Sequence, residues 1–218
     1  MPKLPLTGCL LADEFVISAG CILLKPLPRG NNQLSNDSSI SLTLASLDSS
    51  KAGPRLPEEY SLVYIRKQNG QKVFAKGRKD AGESTPDAAV RESYEETGYK
   101  STIIELPTPS LAPGTSDTTM NKEAIAVTLR IDRMSREDKA PIQKFIFWWV
   151  SEIDTDENGD AVQRVEGTQL AYEDYDVCEM ALDNSLSDGG LTLPEDRRMV
   201  ELTKALLLKR HELSRTST

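Results

Sequence analysis

The stretch GRKDAGESTPDAAVRESYEETGY, residues 77–99, carries the pattern that decides the fold of this chain. Its second half places Glu92, Glu95 and Glu96 within five positions. On a helix, residues three and four positions apart share one face, so these carboxylates project together. Like charges this close repel each other, so the arrangement does not stabilise the fold by itself. A bound divalent cation would stabilise the clustered carboxylates, because Mg²⁺ prefers hard oxygen ligands.

A glutamate-rich helix face is also common as plain solvated surface, and the cluster alone does not separate these two interpretations. Arg91 stands beside the cluster and four positions before Glu95. At that spacing its side chain reaches a carboxylate, orients it and offsets part of the repulsion.

The residues around the cluster predict a helix with marked ends. Thr85 is the expected N-cap, Pro86 suits the first helical position, and Asp87 favours the positive end of the helix dipole. Gly98 is the expected residue that closes the helix in a left-handed conformation. We therefore expect the acidic cluster to be helical.

Apolar and alternating segments predict strands on both sides of this helix. Asn69-Gly70 predicts a tight hairpin turn that leads into KVFAKG, and an amphipathic pattern predicts a second helix over residues 194–213. Strands alternating with two helices indicate an α/β or α+β class. The predicted strands are residues 15–27, 60–67, 101–106, 124–131 and 144–153.

Residues 29–57 interrupt this pattern with a run rich in Asn, Ser, Gly and Pro. Such a composition predicts a long, partly disordered surface insertion, and the insertion could also dock a partner. We expect residues 1–218 to form a single domain around it.

Composition narrows the function classes. The net charge of −8 argues against binding to nucleic acid or to an anionic membrane, and the apolar runs are too short to span a bilayer. The N-terminus is a poor secretory signal. Cys9, Cys21 and Cys178 are widely separated, which indicates reduced thiols in an intracellular protein, cytoplasmic or nuclear. The single histidine, His211, makes histidine-based catalysis an unfavoured explanation.

Residues 77–99 as a whole resemble the Nudix box, the signature of the Nudix hydrolases. That signature runs Gly, five residues, Glu, seven residues, Arg-Glu, an aliphatic, any residue, Glu-Glu, any residue, Gly and an aliphatic. Two packing positions depart from it, where Ser93 and Tyr99 stand in place of aliphatic residues. The matching residues are Gly77, Glu83, Arg91, Glu92, Glu95, Glu96 and Gly98.

The flanking segments extend the resemblance over most of the chain, the insertion excepted. SAGCILL is similar to the opening strand of a Nudix sheet. VCEMAL, a loop and then LTLPEDRRMVELTKAL are similar to the closing strand and helix of the family. The resemblance implies an α/β fold, a Nudix-type α/β/α sandwich with a mixed β-sheet.

Nudix enzymes cleave a diphosphate linked to another moiety. The resemblance implies that Glu92, Glu95 and Glu96, together with the carbonyl of Gly77, bind Mg²⁺ or Mn²⁺. The metal neutralises the phosphates, bridges them and lowers the pKa of a bound water. One glutamate inside or outside the cluster deprotonates the water; Glu92 is the preferred candidate, with Arg91 orienting it.

Carboxylates outside the cluster are expected to have structural roles or to be further metal ligands. Glu83 is expected to be a structural partner of the loop before the helix. A further ligand from a later loop is common in the family, which makes Glu166, Glu173 and Asp174 candidates. For each of these three, an exposed acidic loop is the favoured alternative.

Basic residues mark the segment before the helix. Lys76, Arg78 and Lys79 border Gly77 and suit a small-molecule substrate with several phosphates. Lysines also protect exposed hairpin edges from aggregation. This alternative has equal weight for three earlier residues: Arg66, Lys67 and Lys72.

The segment FAKGRKDAGE indicates a class of substrate. It resembles the Phe-Pro-Lys-Gly segment of Nudix enzymes that act on dinucleoside polyphosphates and diphosphoinositol polyphosphates, although Ala75 replaces the proline. ADP-ribose or another nucleotide sugar is the alternative substrate, in a pocket lined by residues 106–121. Trp148 and Trp149 are candidates for stacking on a base, with at least one expected in the core. A non-catalytic binding module is a further alternative, disfavoured because the glutamates are intact. The oligomeric state is not predicted.

DTDENGD, residues 154–160, imitates a calcium-binding loop. The twelfth position is Val165 instead of a glutamate, and the preceding segment is predicted to be a strand. We therefore expect Asn158-Gly159 to form a hairpin or loop turn.

Overall fold

The structure is a computed structural model, and it describes residues 10–28, 53–132, 142–157, 159–165, 175–187 and 190–216. Its eight strands are β1 (Phe15–Pro26), β2 (Tyr60–Lys67), β3 (Lys72–Val73), β4 (Lys76–Arg78), β5 (Ser101–Ile103), β6 (Ala126–Asp132), β7 (Ile142–Ile153) and β8 (Tyr175–Ala181). The two α-helices in these ranges are α1 (Thr85–Thr97) and α2 (Pro194–Thr216).

All eight strands join one mixed sheet, as predicted. Its central order is β3-β2-β1-β7-β5, while β4 pairs with β1, β6 with β7 and β8 with β2. The central pair β1 and β7 is parallel, and the other pairs are antiparallel. The long insertion that follows β1 is predicted at residues 29–57, and residues 29–52 of it lie outside the described residues.

The two helices cover opposite faces of the sheet. Side chains alternate along a strand, so neighbouring residues of β1 face opposite helices. Cys21 packs with Ala88 and Ala89 of α1. Its neighbour Ile22 is fully buried in the cluster that contains Val200 of α2. The fold is thus the α/β/α sandwich that the sequence predicts.

The ends of α1 follow the predicted signals with one shift. Ser84, not Thr85, is the N-cap, and its hydroxyl accepts a hydrogen bond from the Asp87 N–H at 3.3 Å. The helix begins one residue earlier than predicted because serine and threonine are both good caps and stand side by side. Gly98 ends the helix in the left-handed conformation, with φ 76°, as predicted.

The segment after the Asn69-Gly70 turn forms two short strands where one was predicted. Val73 in β3 pairs with Ile65 of β2, but Gly77 in β4 pairs with Ala19 of β1. The chain therefore changes its partner strand between β3 and β4. This change brings the start of the acidic segment to the first half of β1, next to α1.

Other boundaries differ modestly from prediction. Helix α2 runs three residues beyond the predicted end, and β5 stops at Ile103 because the chain then turns into a loop closed by a bridge between Leu106 and Asn121. Strands β6 and β7 are each shifted or extended by about two residues, as is usual at element ends.

The two residues that depart from the Nudix pattern are both buried. Ser93 of α1 is fully buried, and a small side chain there is compatible with the buried alanines on the same helix. Tyr99 packs with Leu23 and Val63, and its hydroxyl donates a hydrogen bond of 2.7 Å to Glu179. The tyrosine thus supplies the missing apolar packing and takes its polar end to an acceptor.

In the parts of the chain that the structure describes, no helix is long and apolar enough to cross a membrane.

Candidate active site

Arg91 is the hub of the site. Its guanidinium forms two hydrogen bonds with Glu83, from Nε at 2.8 Å and from Nη2 at 2.9 Å. Its Nη1 atom donates to Glu92 at 2.9 Å and to Glu95 at 3.0 Å. The remaining bond, from Nη2 to the carbonyl of Arg78 at 2.9 Å, fixes α1 to β4. The planar fork of arginine is the side chain that can serve so many acceptors at once.

Glu83 is held in the ionised state by this network. The hydrogen bonds from Arg91, joined by one from the Asp80 N–H at 3.0 Å, lower the pKa of Glu83 to about 2. A carboxylate already engaged on both oxygens is poorly placed to bind a metal ion. This geometry agrees with the predicted structural role of Glu83.

Glu92 lies directly against the backbone of Gly77. A Cβ atom added at Gly77 would collide with the Cδ atom and both oxygens of the Glu92 carboxylate. Glycine is therefore required at this position by the close approach of the carboxylate. Burial raises the pKa of Glu92 despite the contact with Arg91, and the charge of Glu95 adds to the rise.

Glu96 is bound to the backbone of β4 one residue before Gly77. One of its oxygens accepts a hydrogen bond from the Lys76 N–H at 2.7 Å. Burial raises the pKa of Glu96 to about 7, and the charge of Glu92 raises it further against the opposing effect of Lys76. The sequence-predicted glutamates are thus brought together around β4, with Glu95 the more exposed at 43%.

The donor set fits a hard divalent cation. Arg91 contacts only Oε1 of Glu92 and only Oε2 of Glu95, and Lys76 contacts only Oε2 of Glu96, so one oxygen of each carboxylate remains for a ligand. In the described ranges no three acidic, histidine or cysteine side chains already converge as a coordination shell. Arg91 contacts Glu92 and Glu95, while Glu96 is bound by the Lys76 N–H.

Basic side chains next to β4 differ in their availability. Within the described ranges, the ammonium of Lys76 and the guanidinium of Arg78 form no ion pair, whereas the Lys79 ammonium donates to the Asp80 carbonyl at 2.9 Å. Arg66 is engaged by Asp176 at 2.7 Å. Two further lysines lie over tyrosine rings: Lys67 over Tyr175 and Lys72 over Tyr64.

The sequence does not single out Asp196, whose carboxyl group is buried and has no hydrogen-bond partner among the described residues. It lies in the first turn of α2 and is 1% exposed. In the sequence it reads as an ordinary acid at a helix N-terminus, because only the fold shows that the side chain points inward.

Both tryptophans lie in the interior, which confirms that at least one belongs to the core. Trp148 and Trp149 are 1% and 5% exposed. Their indole N–H groups donate to the Thr128 hydroxyl and to the Lys122 carbonyl, each at 3.0 Å. Neither ring is therefore free to stack on a base, and this part of the substrate prediction is wrong.

Acidic residues follow β7 along the chain. Glu166, Glu173 and Asp174 lie outside the described residues. The calcium-like segment forms a turn after β7, in which the Gly159 N–H donates to the Asp156 carbonyl at 3.0 Å. The segment before this turn is the strand β7, as predicted.

A cleft of about 520 Å³ runs along the flank of α1 and includes Arg91, Tyr94 and Asp154. None of Glu92, Glu95 and Glu96 lines it. The cleft therefore borders the site through Glu83 and Arg91, on the side away from the three glutamates' own contacts with β4 and Arg91.

Comparison with known proteins places the chain in a family. The NUDIX domain profile matches residues 55–165. A search of curated proteins finds no match. Because the profile spans more than half of the chain, the chain belongs to the Nudix family. It is a hydrolase of the class that acts on phosphoanhydride bonds.

Three of the solved structures that match this chain are as follows. A C. elegans Ap4A hydrolase binary complex has 14% identity and a TM-score of 0.41, over 89% of this chain and 93% of that chain. A NUDIX hydrolase from Nitrosomonas europaea has 10% identity and a TM-score of 0.43, over 88% and 89%. The MutT protein from Bacillus halodurans has 15% identity and a TM-score of 0.41, over 86% and 80%.

Proposed function

We propose that this Nudix hydrolase is metal-dependent and cleaves a phosphoanhydride bond in a polyphosphorylated small molecule, a dinucleoside polyphosphate or a diphosphoinositol polyphosphate. The observation that carries the proposal is the set of contacts that holds Glu92 against Gly77, Glu96 on the Lys76 N–H and Glu95 on Arg91, next to Lys76 and Arg78, which form no ion pair among the described residues. Carboxylates for a metal and cations for phosphates thus lie within one short segment.

Mg²⁺ or Mn²⁺ would be held by the free oxygens of Glu92, Glu95 and Glu96, with the Gly77 carbonyl as a further oxygen donor. When bound, the ion supplies charge neutralisation at the phosphoanhydride and activation of water. The rest of the catalytic work falls to the protein's own side chains.

Glu92 is our preferred general base. It is largely buried, at 14% exposure, and its pKa is raised by burial, which makes the carboxylate a better proton acceptor. Arg91 holds one oxygen at 2.9 Å and Gly77 blocks movement on the other side, so the position of the carboxylate is fixed. A fixed base loses little free energy to reorientation during reaction.

Lys76, Arg78 and Lys79 are our candidates for binding the substrate phosphates. Lys76 and Arg78 lie on either side of Gly77 in β4, so their side chains share one face of this strand, and the charge of Lys76 acts on Glu96. Phosphates attract such cations strongly, and the guanidinium of Arg78 adds a bidentate contact. Arg66 does not join this group, because its charge is engaged by Asp176.

The proposal also includes a single domain over residues 1–218 and a cytoplasmic location. Both rest on composition and on the Nudix pattern.

The test is an incubation of the purified protein with a substrate panel in Mg²⁺, Mn²⁺ or EDTA. The panel contains diadenosine polyphosphates, diphosphoinositol polyphosphates, ADP-ribose, NADH, coenzyme A and capped RNA. We expect metal-dependent cleavage of a polyphosphorylated member, reduced at least about 100-fold by Glu96→Gln. Glu105→Gln, on an exposed loop residue, is the control and should keep full activity.

Preferred cleavage of ADP-ribose would move the substrate to the nucleotide-sugar class. Tight binding of a panel member without turnover of any would contradict catalysis and make the chain a binding module.

A further inference from the structure

An apolar groove lies on the α1 side of the sheet, next to the part that the helix covers. Side chains alternate along a strand, so Phe15 and Ile17 of β1 point to the same side as Cys21, which packs with α1. The groove has a volume of about 320 Å³, and all of the residues that line it are apolar: Leu10, Phe15, Ile17, Phe145 and Phe147.

Strand β6 extends this apolar surface to the edge of the sheet. In the described part of the chain β6 pairs with β7 alone, so its other side is open there. Val127 lies opposite Phe147 and Leu129 lies opposite Phe145, which places both on the same side of the sheet as the groove. Together with Ile131 they form a stripe whose members are 46%, 53% and 62% exposed, in chain order. We call the groove and this stripe the apolar face.

The apolar face is unusual for a surface that stays in water. Soluble monomers rarely expose a contiguous apolar area of more than a few hundred Å², and edge strands usually carry charges or prolines that prevent pairing. The stripe of Val127, Leu129 and Ile131 contains neither. From the strand spacing and the rise per residue, the apolar face measures about 15 Å across three strands and about 17 Å along β6.

The size and shape of the apolar face fit a second copy of the same chain. A standard interface buries about 800 Å² on each partner and has an apolar core inside a polar rim, and the apolar face has the dimensions of such a core. Two packed sheets lie about 10 Å apart, and a helix with its side chains is also about 10 Å wide. The sheet of a second copy can therefore fill the layer beside α1 that the helix leaves empty.

We propose that the apolar face binds the apolar face of a second copy of this chain, so that the two sheets pack against each other in a two-fold dimer. A two-fold contact requires a surface that is complementary to itself, and a pleated apolar surface without charged side chains meets this condition. The inference is independent of the proposed function, because none of the glutamates or cations assigned to the reaction belongs to the apolar face.

Charge gives the dimer a characteristic salt dependence. Each copy carries a net charge of −8, so two copies repel each other at long range while the contact itself is uncharged. Salt screens the repulsion and leaves the apolar contact intact. The dimer should therefore become tighter as the salt concentration rises, whereas a contact held by ion pairs would become weaker.

The test is sedimentation velocity of the whole chain from about 1 to about 200 µM, at low and at high salt. We expect a reversible equilibrium between monomer and dimer that shifts toward the dimer in high salt. Leu129→Lys and Ile131→Lys should each raise the dissociation constant of the dimer at least about tenfold, because each places a charge in the apolar contact. Both side chains are more than half exposed in the single chain, so folding should tolerate the lysine.

Leu208→Lys on α2 is the control, since this leucine is also exposed, at 46%, and lies outside the apolar face. It should leave the dissociation constant within twofold of the wild type. Equal dissociation constants for Leu129→Lys and Leu208→Lys would overturn the inference, because the dimer would then use a different surface.

A wild type that stays monomeric over this range would also overturn the inference, and a variant without residues 1–9 would then separate the other occupants. A dimer that forms only in this variant would mean that the removed segment of the chain covers the apolar face. Monomers of both proteins would mean that the apolar face binds a partner other than a second copy.

Discussion

Carboxylates on the two sides of the sheet differ in their hydrogen-bond partners and in their pKa values. On the α1 side, Glu83 receives two hydrogen bonds from Arg91, and its pKa falls to about 2. On the α2 side, Asp196 has no hydrogen-bond partner among the described residues, and its pKa rises to about 7. The Glu83 side chain is 16% exposed and Asp196 is 1% exposed, so the two carboxylates differ in depth as well as in their partners.

Glu96 stands between these extremes. It receives one backbone hydrogen bond and its pKa is raised to about 7. The comparison separates carboxylates whose charge is satisfied inside the protein from those whose charge is left for something that binds. The first kind should affect stability when changed, and the second kind should affect function.

The largest effect is expected for Gly77→Ala, which disturbs a carboxylate of the second kind. The added methyl group would displace the Glu92 carboxylate, and a shift of about 1 Å in a catalytic group can cost about 100-fold in rate. Steady-state kinetics on the best panel substrate measures the loss. Gly53→Ala is the control, since a Cβ atom there meets nothing within 4 Å. Equal activity of both variants would show that Glu92 does not need its position against Gly77.

Arg91→Ala tests the hydrogen-bond network that Arg91 forms with Glu83 and Glu92. Removing the guanidinium leaves Glu83 and Glu92 without their main partner at 16% and 14% exposure, so we expect a loss of about 3 kcal/mol in the free energy of unfolding. Urea denaturation measures it. Arg91→Lys should recover only part, because one ammonium cannot reproduce the fork. Full recovery by lysine would mean that charge alone, without the geometry of the guanidinium, holds the site.

The next effect is expected in the pH dependence of the free energy of unfolding, to which Glu83 should contribute as a carboxylate of the first kind. The pKa of Glu83 is lower in the folded protein than its ordinary value of 4.5, so its ion pair stabilises the fold above that value. The stabilisation is lost as the pH falls from about 4.5 toward about 2. The unfolding free energy of the wild type should therefore fall more than that of Glu83→Gln over this range. An equal fall in the unfolding free energy of the two proteins would show that Glu83 does not contribute to acid stability.

The smallest effect is expected for Tyr99→Phe, which concerns packing outside both sites. The variant keeps the ring in the core and loses the hydrogen bond to Glu179, so we expect a loss of about 1 kcal/mol in the unfolding free energy. Turnover should stay within twofold of the wild type. A large loss of activity with little change in stability would connect this residue to the site.

Much of the α1 side could be predicted from sequence because its determinants are local. The spacing of Glu92, Glu95 and Glu96 and the closing glycine Gly98 follow from helix geometry, and the structure shows both. The collision between Gly77 and Glu92 could not be predicted, since it depends on β4 pairing with β1.

The α2 side could not be predicted because its determinants are distant in sequence. Asp196 is linked to Lys67 and Lys76 only through the folded sheet, and nothing local distinguishes it from Glu195, which is bound at the surface by Arg130. The tryptophans show the same limit: Trp148 and Trp149 are adjacent, face opposite sides of β7, and are both covered, by clusters that belong to opposite faces of the sheet.

The most direct test of the central claim is a titration of the protein with Mn²⁺, followed by the electron paramagnetic resonance of the free ion. We expect saturable binding by the wild type, weakened at least about tenfold by Glu96→Gln and unchanged by Glu83→Gln, whose carboxylate is already satisfied by Arg91. Wild-type protein that leaves the signal of free Mn²⁺ undiminished, or a Glu83→Gln variant that loses binding as fully as Glu96→Gln, would contradict that claim.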